Sequence, residues 1–171
     1  MNKELLEVFK NVNDWLKFAE AKNAMLIALN GAILIGISKI SDSVLFDFTP
    51  FFWTGYLSLA KVMLLFSMTV SLLSFVPRIK MKGGLYEPNS GSNRWFFEYL
   101  KTLAKEQIVE EITGQKPSRN QLEIDLAEQI RQNSLIASSK YSLFSIAIWL
   151  TVASVISIPI AGLFALYLYL S

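Results

Sequence analysis

The sequence predicts an all-α integral membrane protein: three transmembrane helices with a cytoplasmic antiparallel helical hairpin. Three observations carry that reading. Hydrophobic residues make up 53% of the 171 and charged residues only 18%, where a soluble domain carries about a quarter charged. Three apolar runs, near 24–40, 52–76 and 143–170, each read as one crossing, the first short enough that Lys39 must snorkel to the far interface and the third long but too short to cross twice. The basic residues are also unevenly spread, with four in residues 1–23, ten in 77–142 and none in 41–50. Basic loops remain on the cytoplasmic side. The amino terminus and residues 77–142 are therefore expected inside, and the carboxy terminus outside.

The first 23 residues read as a helix whose face is Leu5, Leu6, Phe9, Val12, Leu16 and Ala19. That face either packs on the other cytoplasmic elements or lies on the membrane surface. Glu4, Glu7, Asp14 and Glu20 are mixed with the lysines, and no small-residue cleavage pattern follows. This is not the layout of a signal peptide, so the first apolar run is expected to remain as an anchor.

Residues 24–76 form a two-span hairpin around the short outer connection 41–50. Phe46, Phe48, Phe51, Phe52, Trp53 and Tyr56 crowd the entry to the second span, as interfacial aromatic belts do. Lys61 is the one charge in that span. It either snorkels past Trp53 and Tyr56 or faces a pore or partner. Asn30, deep in the first span, is expected to bond between helices or to line a pore.

Residues 77–142 form the hairpin. Gly83-Gly84, Pro88-Asn89 and Ser90-Gly91-Ser92 mark a loop. Ser92 or Asn93 is placed to cap a helix running to Thr113, its apolar face Trp95, Phe96, Tyr99, Leu100, Leu103, Ile108 and Ile112. Gly114 suits its end. Ser118 to Gln121 resembles a capping box for the next helix, where Leu122, Leu126 and Ile130 recur four apart. No stop signal separates that helix from the third span, 143–171, which contains Pro159 and Gly162.

The chemistry available is narrow. There is no His and no Cys, which removes the commonest general base, the usual zinc ligands and any thiol nucleophile. Glu110-Glu111 and Glu123/Asp125 read as solvated helix faces, and Gly83-Gly84 lacks the rest of a phosphate loop. No enzyme, metal or cofactor is expected. A net charge of +2 is too small to argue for nucleic acid as a partner.

Binding has more to work with. Arg78, Lys80 and Lys82 follow the second span, Arg94, Trp95 and Tyr99 open the hairpin, and Lys140 and Tyr141 close it. Arginines that grip phosphate beside aromatics that stack a base make a nucleotide site. The same residues also suit headgroup anchoring and hairpin packing. In the nucleotide reading Arg78 and Arg94 hold the phosphate, Trp95 or Tyr99 stacks the base, and Lys140 carries the change into the third span.

Three motifs in order resemble the Pycsar transmembrane effector family. They are Trp15-Leu-Lys-Phe-Ala-Glu-Ala-Lys-Asn-Ala24 running into Leu29-Asn30-Gly31, Leu73-Ser-Phe-Val-Pro-Arg78, and Gln129-Ile-Arg-Gln-Asn-Ser-Leu-Ile-Ala-Ser-Ser-Lys-Tyr141. Glu20 stands where that family usually has Asp, and Asn23 after Lys22 is a second mild departure. The resemblance implies a bacterial anti-phage effector in the inner membrane. A separate cyclase would supply its ligand, cUMP or cCMP, and a homo-oligomer would then impair the lipid bilayer. The SLATT-type cyclic-nucleotide-linked membrane effectors look similar, so a different nucleotide signal stays open. A constitutive scaffold or small transporter subunit presenting its hairpin to a partner is the alternative.

Overall fold

The computed structural model describes residues 2–41, 50–76, 93–116 and 121–170. Every element is a helix: α1 (Lys3–Ser41), α2 (Pro50–Leu73), α3 (Phe97–Leu100), α4 (Lys105–Thr113) and α5 (Gln121–Leu170). Three of them, α1, α2 and α5, contain stretches long and apolar enough to cross a membrane. The chain divides into two compact units, one built from residues 1–21 and 76–142, the other from 22–75 and 143–171.

In the first unit Leu5, Val8 and Val12 of α1 bury with Phe97, Leu100, Leu103, Ile108, Val109, Ala127, Ile130 and Ala137. Fully burying each large aliphatic side chain contributes about 1.5–3 kcal/mol. The amphipathic face of α1 therefore packs against protein here, with Val8 inside in place of the expected Leu6.

The expected single helix from Asn93 to Thr113 breaks between α3 and α4. Its buried residues explain the break. On one continuous helix Phe97, Leu100, Leu103, Ile108 and Val109 would fan across about 240°, too wide for one face. Ending α3 at Leu100 and restarting at Lys105 turns all five inward. Ala104 cannot cap the restart, but Gln107 reaches back, its Oε1 accepting from the Ala104 N–H at 2.8 Å. The expected inward face is corrected accordingly. Trp95 and Phe96 are exposed, while Phe97 and Val109 fill the core.

Gly114 closes α4 with φ of 65°, its N–H donating to the Glu110 carbonyl. The expected cap at Ser118 lies outside the described residues. After the turn the chain runs back antiparallel. Phe97 stacks on Tyr141 at 5.3 Å, Lys101 donates to Ser138, and Ile108 and Val109 share one core with Ala127 and Ile130.

The second unit is inside-out. Along α2 and the turn after it, the buried residues are Trp53, Leu57, Ala60, Leu64, Ser67, Ser71 and Ser74. They alternate four and three apart, the seam spacing of a left-handed bundle. Outward stand Leu59, Val62, Leu65 and Phe66. Where the surroundings are lipid, apolar side chains gain nothing by hiding, and small or hydroxylated ones bring the helices close.

One cluster joins all three long helices. Asn30 Nδ2 donates to Ser67 Oγ at 2.9 Å, and Thr151 Oγ1 donates to Asn30 Oδ1 at 2.9 Å. Ser67 and Thr151 lie 2.9 Å apart. Ser67 also has the Ala147 carbonyl within reach at 2.8 Å. Higher in the same seam Ser154 donates to the Ala60 carbonyl. Pro159 stays inside an unbroken α5.

Candidate functional site

The turn entering α3 brings the expected binding residues to the surface of the first unit. Asn93 Oδ1 accepts from the Trp95 N–H at 3.0 Å, the short side-chain turn that Asn favours. This fixes Arg94 and Trp95 at its tip. Arg94 Nε then meets Glu111 Oε1 at 2.8 Å, with the Arg94 side chain 64% exposed. An exposed pair of this kind contributes little to stability. Its effect is positional, because Nε is held while the outer edge of the guanidinium faces out.

Tyr99 joins the same group. Burial raises its phenol above the ordinary value, the Glu111 carboxylate raises it further, and Arg94 partly opposes both. A hydrogen bond to Glu111 also favours the neutral phenol. Arg94, Glu111 and Tyr99 therefore form one linked set, with Trp95 beside them at 42% exposure. The indole makes no aromatic pair among the described residues.

Lys140 is buried and ion-paired with Glu20 at 3.1 Å. Arg78 lies outside the described residues. In the second unit the Asn30 amide is engaged with Ser67 and Thr151 of its own subunit. Lys61 there is half-buried.

Sequence reasoning missed four residues beside the turn. Asn11, Asp14, Trp15 and Phe18 line a shallow groove of about 340 Å³ on α1. Asn11 Nδ2 donates to the Trp95 carbonyl at 3.4 Å, tying the groove to the Arg94 turn. Trp15 backs it through edge contacts with Phe18, Phe96 and Tyr141. The signal was present as Trp15 and Phe18 on one helix face, but packing alone explains those types. Glu111, which the sequence places on a solvated helix face, is instead the partner that pairs with Arg94.

The arrangement suits an anion with a flat, partly apolar group attached. Arg94 offers the cation, and Trp95 and Trp15 offer faces. Asn11 and Asp14 offer polar atoms to a heterocycle edge. Asp14 is ion-paired with the exposed Lys17 at 3.4 Å, and Arg94 is the cation of the turn itself.

The family profile described as the Pycsar effector protein domain matches residues 4–168. The chain belongs to the Pycsar effector family. No curated protein and no solved structure matches it. As a Pycsar effector it is a multi-pass membrane protein of anti-phage defence, linked to a cyclic-nucleotide signal from a cyclase.

Proposed function

We propose that this Pycsar effector sits in the bacterial inner membrane, senses cUMP or cCMP directly, and answers by impairing the membrane as a homo-oligomer. The observation that carries the reading is the union of family and site. The family match runs through the three apolar helices, and the unit outside them presents Arg94, Trp95 and a groove beside them.

In this reading the cyclic phosphate lies on the outer edge of Arg94, oriented by Glu111. The pyrimidine enters the groove against Trp15, where Asn11 and Asp14 meet its polar edge. Asp14 accepts from a ring N–H or an exocyclic amine. A pyrimidine suits a shallow groove better than a purine because it is smaller. Tyr99 belongs to the same set, its phenol kept neutral by burial and by the Glu111 carboxylate. The covalent route from groove to apolar helix is α1, which carries both Trp15 and Asn30.

Calorimetry of the detergent-solubilised protein with cUMP and with cCMP tests this. Arg94→Ala should weaken binding by about 1.5–3 kcal/mol, roughly 10- to 150-fold in Kd, without altering helix content. Trp15→Ala should cost about 1–3 kcal/mol, since its face is where the base stacks. Unchanged affinity in Arg94→Ala would place the nucleotide elsewhere. No binding of either nucleotide by the wild type would favour a sensor role for a partner protein.

A further inference from the structure

Lys61 carries a charge that nothing in the apolar helices neutralises. It lies roughly 13 Å along α2 from Phe52, at about 1.5 Å per residue. Among the described residues its ammonium makes no ion pair, hydrogen bond or ring contact. Residues 24–40, 51–76 and 143–171 contain no Asp or Glu. A second copy therefore has no acid to offer it within these segments either. A lysine facing hydrocarbon near mid-depth costs about 2.5–3.5 kcal/mol.

Snorkelling toward the aromatic belt is the obvious relief, but the belt faces other ways. At about 100° per residue, Trp53, Tyr56 and Phe52 lie roughly 80°, 140° and 180° round α2 from Lys61. Trp53 is buried in the seam and stacks with Tyr56. Helical side chains lean toward the amino end, and on that side Lys61 meets Thr54 and Ser58, both exposed. Both lie within about 60° of it. The outward surface of α2 is thus divided. One strip holds Thr54, Ser58 and Lys61 and turns apolar one turn further on at Leu65, and the adjoining strip holds Leu59, Val62 and Phe66, these four apolar residues all more than half exposed.

We propose that copies of this chain assemble with the Thr54–Ser58–Lys61 strip turned toward a shared water-filled path, and that this path passes anions. The inference rests on the membrane-impairing function proposed above and names its ionic class. Water in the path removes the desolvation cost of Lys61, and the second strip stays in lipid. A ring of lysines selects anions. With no carboxylate in any of the three apolar segments, the positive potential along the path is uncompensated.

The test is the reversal potential of purified protein in phosphatidylethanolamine–phosphatidylglycerol bilayers under a KCl gradient, with cUMP or cCMP added. The wild-type current should reverse toward the chloride equilibrium potential. Lys61→Glu should move the reversal to the potassium side, and Lys61→Gln should remove the preference. The milder Gln variant keeps the test valid if Glu prevents insertion. A wild-type current without chloride preference, or a preference untouched in Lys61→Gln, overturns the inference. Absence of any wild-type current with either nucleotide would contradict the membrane-impairing function itself, and the inference with it.

Discussion

At the scale of single residues, the surface site depends on one carboxylate. Glu111 holds Arg94 through Nε, and its carboxylate acts on the Tyr99 phenol. The phenol is raised first by burial and then by that carboxylate. Tyr141 is raised as well, by burial. The sign follows directly. Between the ordinary value near 10 and the raised one, the folded state keeps a proton that the unfolded chain has lost. Tyr99 therefore stabilises fully below about pH 10 and loses that contribution as pH rises through its folded value. A spectrophotometric titration should show late-ionising phenols, one of which disappears in Tyr99→Phe. Glu111→Gln should bring the Tyr99 transition down. A titration unmoved by that substitution would remove Glu111 from the role given to it.

At the scale of elements, two physical effects decided what could be read from sequence. The apolar runs were legible because lipid demands continuous apolar stretches, and α1, α2 and α5 contain them. Gly114 was legible because its backbone angle is one that a side chain resists. The break at Leu100–Ala104 was not, because it comes from the fan of five core residues, which no local propensity announces. Arg94, Trp95 and Tyr99 were legible as residue types. Their partners Glu111 and Asn11 were not, since only the fold brings a carboxylate from α4 and an amide from α1 to that turn.

The polar cluster of Asn30, Ser67 and Thr151 is the interlock between α1, α2 and α5. Its hydrogen bonds are worth less than their burial suggests, because polar groups in an unfolded membrane segment also find partners. Asn30→Leu should destabilise the subunit by about 1 kcal/mol, read as a lowered unfolding midpoint in detergent. Ser67 and Thr151 retain the Ala147 carbonyl as an acceptor, which keeps the loss modest. An unchanged midpoint would show that the cluster does not hold the helices.

At the scale of the whole molecule, the proposed effector joins a cytoplasmic sensor to a membrane-damaging assembly. Its orientation rests on the ten basic residues of 77–142 against none in 41–50. The absence of native Cys makes labelling direct. Ser43→Cys should react with an impermeant maleimide in intact cells, and Ser90→Cys should react only after permeabilisation. The reverse pattern would invert the topology and place the Arg94 site away from a cytoplasmic signal.

The most direct measurement follows membrane potential in cells expressing the chain while cUMP or cCMP is supplied. One of the two nucleotides should collapse the potential within the wild type, and Arg94→Ala cells at equal protein level should keep theirs. A potential that holds in the wild type with both nucleotides, or that collapses equally in Arg94→Ala, would contradict direct sensing at this site as the trigger of membrane damage.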